Sequence, residues 1–291
     1  YVVQKGDSLE LIGAKLGVFW KNIARENGLD IKAPLPVGNT LTVNTRKIVP
    51  SVIENGIIIN IPDRTLYYFK NGVLNAVPVG LGASLENDFG NWKTSQGKFS
   101  IIKKRKNPIW YVPDAIFIEM ALKGRDVEAA VPPGPKNPLG RYVLVTSIPS
   151  ILIHETIWPK SVYRYQSHGC IRVLPEQMEK LYESVDIGTK GELIYEPVKV
   201  ALSDEGRIYL EVRTDIYNKM KSLKEHARKV IEARGLSDKV DWAKVDRMVK
   251  EETGTAEDVT LSDSAVLYRT LQGKTSSLTD RIVRFFKYCF E

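Results

Sequence analysis

Short apolar runs separated by glycine- and proline-rich loops occupy the middle of the chain and restrict it to a sheet-based fold. Between residues 53 and 198 these runs read GIIINI, TLYYF, VLNAVPVGLG, KFSIIKK, RYVLVTS and ILIHETI. They have the length of strands and are rich in the β-branched and aromatic residues that favour strands. The Asn71-Gly72 dipeptide is typical of a type I′ hairpin. We therefore predict a mostly antiparallel β domain over residues 53–198.

One helix is predicted within this domain, from Pro175 to Val185. Proline is favoured in the first turn of a helix, and Gly188 follows the pattern as a stop. Met178 and Leu181 recur at helical spacing with Val185, so we expect this face to pack on the sheet.

Residues 1–49 show a different pattern, with two helices between two short apolar runs. Asp7 is the predicted N-cap of the first helix because Glu10 follows three positions later, and Gly17 is its predicted stop. The second helix is predicted from about Trp20 to Asn27. The segment is therefore expected to form a β-α-α-β miniature domain.

Residues 199–291 are predicted to be mainly helical after a last strand-like run, RIYLEV. Two apolar helix faces recur at helical spacing. The first consists of Ile216, Met220, Leu223, Ala227, Val230 and Ile231, and the second of Trp242, Val245 and Val249. The tail from Ser277 to Glu291 is amphipathic and basic, so it either packs on the rest of the chain or lies on an anionic membrane surface. The predicted fold class is an α+β multidomain protein.

Length and charge narrow the classes of function. A chain of 291 residues accommodates two or three domains of roughly 100–150 residues. The formal net charge of +7 favours an anionic partner, either nucleic acid, a membrane surface or the bacterial wall. Nucleic acid is disfavoured because no basic stripe with interleaved aromatic residues occurs. The chain begins at Tyr1 without an initiator Met, and we expect that a signal peptide was removed and that the protein lies outside the cytoplasm.

The stretch IHETIWPKSVYRYQSHGCIRV brings two of the three histidines close to one of the two cysteines. A free thiol with a pKa of about 8.5 is only partly ionised at neutral pH, so a cysteine nucleophile needs a base beside it. His154, at the end of a strand, is the predicted base for Cys170, which we place at a strand-to-helix junction before Pro175. The backbone N–H groups of Gly169 and Cys170 are expected to face a developing oxyanion. Arg172 offers a bidentate donor for a carboxylate.

Other interpretations of these residues stay open at this point. A single buried cysteine is commonly an inert core residue, and a single histidine is commonly a satisfied polar residue. A Cys-His pair also ligates metals, but two histidines and one thiol without a nearby second cysteine make a poor zinc site. We expect no metal and no cofactor. Cys170 and Cys289 are far apart in the sequence, and no structural disulfide is expected.

The phrase YVVQKGDSLELIGAKLGV, followed by IARENGL and VGNTLTV, resembles the LysM family across residues 1–49. That family binds polymers containing N-acetylglucosamine, such as peptidoglycan. The resemblance implies a glycan groove between two turns, formed by Gly6, Asp7 and Ser8 and by Leu29, Asp30 and Ile31. The alternative for each position is a simple capping or turn residue.

The run from His154 through twelve residues to Ser167-His168-Gly169-Cys170-Ile171-Arg172 resembles the signature of YkuD-type L,D-transpeptidases. The likeness extends over most of residues 53–198 through NIPDRTLYYF, PVGLG, TSQGKFSI, KNPIWYVP and VPPGPKNPLGRY. These segments resemble the subgroup that acts on periplasmic murein, so the resemblance implies a periplasmic protein with peptidoglycan as its partner.

The resemblance also implies a role for each residue of the signature. It makes Cys170 the acylated nucleophile and His154 the general base. The oxyanion site would be shaped by His168, Gly169 and Cys170, while Ser167 and Arg172 would support the loop or the substrate. The backbone carbonyl of Glu155 would hold the imidazole. Smaller residues are commoner than Glu155 at this position, and a carboxylate pointing inward would raise the pKa of the thiol. The TSQG segment also departs from the usual Thr-Pro pair.

The reaction implied by the family is a ping-pong acyl transfer through a thioester. The acceptor is another stem peptide, a lysine of a wall-anchored lipoprotein, or water. Two rivals remain: a cysteine peptidase that hydrolyses cross-links, and a peptidoglycan-binding protein without catalytic activity.

Overall fold

The computed structural model describes residues 1–87 and 90–262. The amino-terminal unit contains the helices α1 (Leu9–Leu16) and α2 (Trp20–Glu26). An antiparallel bridge between Val2 and Thr40 takes the place of the two predicted strands. The helices pack around a small apolar core that includes Ile12 and Ile23.

The N-cap of α1 is Ser8, and the prediction of Asp7 is wrong by one residue. The Ser8 Oγ accepts a hydrogen bond from the Leu11 N–H at 3.3 Å. The Asp7 carboxylate instead accepts from the Tyr1 hydroxyl at 2.6 Å and from Lys15 Nζ at 2.8 Å. Asp7 therefore ties the start of the chain to the end of α1, and Ser8 is left to satisfy the first turn of the helix.

The central region consists of strands in the described parts of residues 56–194. In chain order these are β1 (Gly56–Asn60), β2 (Thr65–Lys70), β3 (Val73–Gly82), β4 (Glu86–Asn87), β5 (Gly90–Asn91), β6 (Gly97–Lys106), β7 (Trp110–Tyr111), β8 (Ala130–Val131), β9 (Tyr142–Thr146), β10 (Leu152–Glu155), β11 (Tyr165–Ser167), β12 (Ile171–Val173) and β13 (Lys190–Ile194).

Nine of these strands form one sheet in the order β11-β3-β12-β10-β9-β6-β13-β1-β2. β2 also pairs with β3, so the sheet closes on itself. Most pairings are antiparallel, as predicted, but β1–β13, β10–β12 and β3–β11 are parallel. β4–β5 and β7–β8 form separate two-stranded ribbons.

Two helices accompany the sheet. The predicted helix is α4 (Pro175–Ser184), and its Met178 and Leu181 are buried in the central core with Val185. A second helix, α3 (Asp114–Leu122), was not predicted because its apolar residues do not line one face. In α3 the buried side chain is that of Glu119, while Leu122 is 72% exposed.

The third unit is a small α+β structure. Strands β14 (Val198–Leu202), β15 (Ile208–Val212) and β16 (Glu257–Asp258) form an antiparallel sheet. The helices α5 (Leu223–Ala233) and α6 (Trp242–Glu251) pack with this sheet around one apolar core. The prediction of a mainly helical region named only β15, within RIYLEV, and omitted β14 and β16.

The predicted helix from Ile216 begins too early. Ser222 caps α5 by accepting a hydrogen bond from the Glu225 N–H at 3.2 Å, so Ile216 and Met220 precede the helix. Both pack on the central core instead. The amphipathic tail from Ser277 to Glu291, with Cys289, lies outside the described residues.

Candidate active site

The parallel pairing of β10 and β12 creates the site. Its register places His154 opposite Arg172 and Ile153 opposite Ile171. Because side chains alternate along a strand, fully buried Ile153 and Ile171 occupy the core face, and His154 and Arg172 occupy the other face. Cys170 precedes β12 and lies two residues before Arg172, so its side chain comes to the same face as the histidine.

Cys170 lies between two strands, β11 and β12, and the prediction of a strand-to-helix junction is wrong. Ile171 and Val173 are both fully buried and alternate with Arg172, which adds a short strand before α4 begins at Pro175. Cys170 is a partly exposed free thiol, and its Sγ donates to the Ser150 carbonyl at 3.4 Å. Desolvation raises the pKa of this thiol, while the Leu152 backbone and Arg172 oppose the increase.

His154 is buried and oriented by the next residue. Its Nδ1 lies 2.6 Å from the carbonyl oxygen of Glu155. A carbonyl only accepts, so Nδ1 carries the proton and Nε2 keeps a lone pair. Burial lowers the pKa of His154 to about 4, with the Glu155 carbonyl raising it and Arg172 lowering it further. The imidazole is therefore neutral at pH 7, which is the form that a general base requires.

The Glu155 side chain turns away from the thiol. It lies on the opposite face of β10 from His154 and pairs with Arg141 at 3.4 Å. A Cβ at Gly140 would come within 2.5 Å of the Glu155 Cβ, so the glutamate packs directly on the loop that ends at Gly140. The Glu155 carboxylate would raise the pKa of the thiol if it pointed inward, but it is directed to Arg141 instead.

Ser167 supports the loop that carries Cys170. Its buried hydroxyl donates to the Cys170 carbonyl at 2.6 Å and accepts from the Gly169 N–H at 3.2 Å. The Gly169 N–H is therefore engaged in this structure, which contradicts the expectation that it faces an oxyanion. Gly169 has a φ of 109°, a conformation that favours glycine.

Thr94 holds the other side of this loop, and the sequence reasoning missed its role. The Thr94 Oγ1 donates to the Gly169 carbonyl at 2.9 Å, and the Tyr217 hydroxyl accepts from the Thr94 N–H at 3.0 Å. Thr94 belongs to the TSQG segment, which was noted only as a departure from the family. Tyr217, between the central sheet and α5, gave no sequence signal.

His168 is held by groups that the sequence analysis also missed. Its Nε2 lies 2.8 Å from the Glu119 Oε2 of α3, and its ring centroid is 4.0 Å from that of Trp92. Burial would raise the pKa of Glu119, but Lys123 and His168 hold it below its usual value. The only sequence signal for this contact was a glutamate within an otherwise apolar stretch, DAIFIEMAL.

Arg172 presents its guanidinium on the face shared by Cys170 and His154. Its Cζ lies 5.4 Å from the centroid of the half-exposed Trp158 ring. Desolvation lowers the pKa of Arg172, and the neighbouring Cys170 raises it. This cation is therefore positioned to bind an anionic group that enters the site.

The six residues of the predicted glycan groove differ in their contacts and in their exposure to solvent. Asp7 and Ser8 stabilise α1, and the Asp30 side chain accepts from the Lys32 N–H at 2.9 Å. Leu29 packs against the core of the amino-terminal unit. Gly6 is exposed, and Ile31 is 52% exposed, so these two residues face solvent. Their role in glycan binding stays a prediction.

Metal sites and membrane-spanning helices are two further features to consider in the part of the chain that the structure describes. Within it, no group of three or more His, Cys, Asp or Glu side chains is arranged to hold a metal ion. None of its helices combines the length and the apolar character that crossing a bilayer requires.

Comparison with known proteins agrees with this geometry. The YkuD family model, described as an L,D-transpeptidase catalytic domain, matches residues 54–200, and the LysM domain model matches residues 1–44. A Salmonella typhimurium protein named "Probable L,D-transpeptidase ErfK/SrfK" is 30% identical over 207 residues, which are 70% of this chain and 65% of that protein. The "Probable L,D-transpeptidase YbiS" of Escherichia coli is 30% identical over 211 residues, 72% of this chain and 67% of that protein.

The chain spans about two thirds of the length of these curated relatives. A solved L,D-transpeptidase from Mycobacterium smegmatis is 20% identical, covers 48% of this chain and 58% of that one, and has a TM-score of 0.36. Because the YkuD model matches half of the chain, the protein belongs to the L,D-transpeptidase family of the YkuD type and carries an amino-terminal LysM domain.

Proposed function

We propose that this protein is a cysteine-dependent L,D-transpeptidase that acts on the stem peptides of peptidoglycan. The single observation that carries the proposal is the shared face of Cys170, His154 and Arg172, with the His154 Nδ1 fixed on the Glu155 carbonyl at 2.6 Å. A nucleophile, an oriented neutral base and a cation for a substrate carboxylate are the parts that acyl transfer needs.

The proposed reaction begins with proton transfer from the Cys170 thiol to the His154 Nε2 as Sγ attacks the carbonyl of the third stem residue. The tetrahedral intermediate collapses, its C–N bond breaks, and the terminal D-Ala leaves as an amine that takes the proton from Nε2. A thioester remains. An acceptor amine then attacks this thioester and gives its proton to the His154 Nε2, the C–S bond breaks to leave the new amide, and the departing thiolate takes the proton back from Nε2.

Backbone donors near the nucleophile stabilise the oxyanion in this proposal. With the Gly169 N–H engaged by Ser167, we assign the role to the N–H groups of Cys170 and His168. Arg172 binds a carboxylate of the stem, and the LysM unit holds the glycan through the groove around Gly6 and Ile31.

We further propose an extracytoplasmic, periplasmic location, since the substrate lies in the wall. The domain division into residues 1–49, 53–198 and 199–291 is likewise a proposal. Three apolar cores support it, although Ile216, Tyr217 and Met220 of the third segment pack on the central core. The acceptor is a second stem, a lipoprotein lysine or water.

Incubation with purified muropeptides, followed by mass spectrometry of the products, tests the proposed reaction. We expect loss of D-Ala from tetrapeptide donors together with 3→3 cross-linked products, or products hydrolysed at the same bond if water is the acceptor. Cys170→Ala should abolish turnover, and His154→Ala should lower it by ~10²–10⁴-fold. Cys289→Ser is the matched control. An unmodified donor, together with Cys170 that no carbapenem acylates, would leave a binding protein as the function.

A further inference from the structure

A cleft of about 310 Å³ lies between the LysM unit and the central domain, away from the residues that carry the proposed chemistry. We call it the junction cleft. Phe19 and Trp20, at the start of α2, line one wall. The other wall includes Arg64, Arg164 and Gln166 of the central domain.

Arg64 lines this cleft with a guanidinium that its neighbours hold in place. Its guanidinium carbon lies 4.2 Å from the Tyr163 ring centroid, and its Nη1 donates to the Tyr163 carbonyl at 3.1 Å. The Nε atom is buried and has no hydrogen-bond partner among residues 1–87 and 90–262. Because the Nε atom is shielded from solvent, a ligand in the cleft would meet the guanidinium at its terminal nitrogens, which are hydrogen-bond donors.

The backbone of Arg64 is also unusual. Its φ of 52° lies in the left-handed region, which is uncommon for residues other than glycine. This conformation belongs to the turn between β1 and β2, in which the Arg64 N–H donates to the Ile61 carbonyl at 3.2 Å. The stacking of the guanidinium on Tyr163 and Tyr165, at 4.2 and 5.1 Å, fixes its plane beside the cleft.

The aromatic wall supplies the complementary surface. The Phe19 and Trp20 rings are 6.1 Å apart and tilted by 59°, and both are only partly buried. Partly exposed aromatic rings opposite a few fixed donors are typical of a small-molecule site. A pyranose ring fits this combination, because its C–H face packs on an aromatic ring while its hydroxyl and N-acetyl oxygens accept hydrogen bonds.

The cleft lies within the reach of one donor molecule from the nucleophile. Gln166 precedes Cys170 by four residues, so the two residues are at most roughly 13–14 Å apart. In a muropeptide, the lactyl group and two residues separate the sugar from the carbonyl of the third stem residue, which is a span of similar length. A donor with this carbonyl at Cys170 can therefore place its sugar in the cleft.

We propose that the junction cleft binds the disaccharide of the donor muropeptide while its stem extends to Cys170. The inference rests on the proposed transpeptidase function. The LysM unit then has a second role. Its Phe19 and Trp20 take part in donor recognition, while its glycan groove attaches the protein to peptidoglycan.

Steady-state kinetics with two donors tests the cleft. A disaccharide-tetrapeptide is compared with the sugar-free tetrapeptide in the full chain, in Arg64→Lys and in Arg164→Ala. Arg164→Ala is the milder change, since this half-exposed side chain makes a single ion pair among the described residues, with Glu10 at 3.9 Å. In both variants we expect KM for the disaccharide donor to rise about tenfold, so that the enzyme no longer prefers this donor over the sugar-free tetrapeptide. Arg105→Ala, an exposed arginine outside the cleft, is the matched control.

Three outcomes would overturn the proposal. The first is equal KM values for both donors in the unmodified protein, and the second is an equal change for both donors in the cleft variants. The third is loss of the sugar preference in Ile31→Ser, which would assign the preference to the LysM groove instead.

Calorimetric titration of the Cys170→Ala protein separates the cleft from the chemistry. We expect tighter binding of the disaccharide-tetrapeptide than of the tetrapeptide, and loss of this difference when Arg164→Ala is added. If neither donor is turned over and no carbapenem acylates Cys170, the proposed function fails, and the titration still decides whether the cleft binds the sugar.

Discussion

Cys170 and His154 are both uncharged in the resting site. Burial raises the pKa of the thiol and lowers that of the imidazole to about 4, so proton transfer from sulfur to nitrogen is unfavourable before a substrate arrives. Many cysteine enzymes instead keep a preformed thiolate beside a cation. For the proposed reaction, we therefore expect the approach of the substrate carbonyl and of the oxyanion donors to drive ionisation of the thiol.

Alkylation of Cys170 by iodoacetamide tests this electrostatic state. The thiolate is the reactive form, and a raised pKa means that its fraction keeps growing as the pH rises through 7, 8 and 9. We therefore expect the alkylation rate to increase across this range without a plateau near neutral pH. Measurement by mass spectrometry of the peptide containing Cys170 excludes a contribution from Cys289. A rate that is already constant at pH 6–7 would indicate a preformed ion pair.

At the scale of secondary-structure elements, the loop that ends at Gly140 braces the strand carrying the base. Gly140 has a φ of 66°, and the Glu155 side chain packs against it with no room for a Cβ. Glu155 in turn supplies the carbonyl that orients His154. The proline- and glycine-rich loop thus acts on the site through packing on β10.

Gly140→Ala should destabilise the fold through both strain and overlap. The left-handed conformation costs about 1–3 kcal/mol for a residue with a side chain, and overpacking against Glu155 adds a similar amount. Gly188→Ala is the matched control, because Gly188 also has a positive φ, 90°, but its Cβ would meet open space. Urea unfolding should show the larger decrease in the free energy of unfolding for Gly140→Ala, and equal decreases would contradict the packing argument.

At the scale of the whole molecule, buried charges join the three units. Lys199 of β14 contacts the Asp63 carboxylate at 2.7 Å, the Glu211 carboxylate at 3.1 Å and the Ile48 carbonyl at 2.5 Å. Arg213 pairs with Glu211 at 2.9 Å and donates to the Tyr163 hydroxyl at 2.7 Å. The end of the amino-terminal unit at Ile48, the central domain and the third unit therefore share one hydrogen-bonded network.

Lys199→Met should destabilise the whole molecule by about 3–5 kcal/mol, because it leaves the buried Asp63 carboxylate without its nearest cation. Lys224→Met is the control. The Lys224–Asp246 pair at 2.9 Å is exposed, and such pairs contribute only ~0–1 kcal/mol. Thermal unfolding followed by circular dichroism compares the two variants. Similar melting temperatures for both would mean that the network is not a principal stabilising feature.

The sequence by itself determined the features that depend on local pattern. Strand-length apolar runs predicted the strands of the central sheet, helical spacing predicted α4 and α6, and the spacing of His154 and Cys170 indicated the reactive pair. The predictions of strands and helices succeed because periodicity reports which face of a single element is buried, whereas the roles of His154 and Cys170 stay a prediction.

Only the tertiary structure decided which faces meet. The contacts of Glu119 with His168 and of Thr94 with Gly169 join residues 49 and 75 positions apart. Neither contact leaves a periodic signal, because it depends on the sheet order and on the position of α3. The direction of the Glu155 carboxylate followed from the register of β10 rather than from its neighbours in the sequence. Local pattern fixes the exposure of an element, whereas strand order and crossover connections decide which distant side chains share a site.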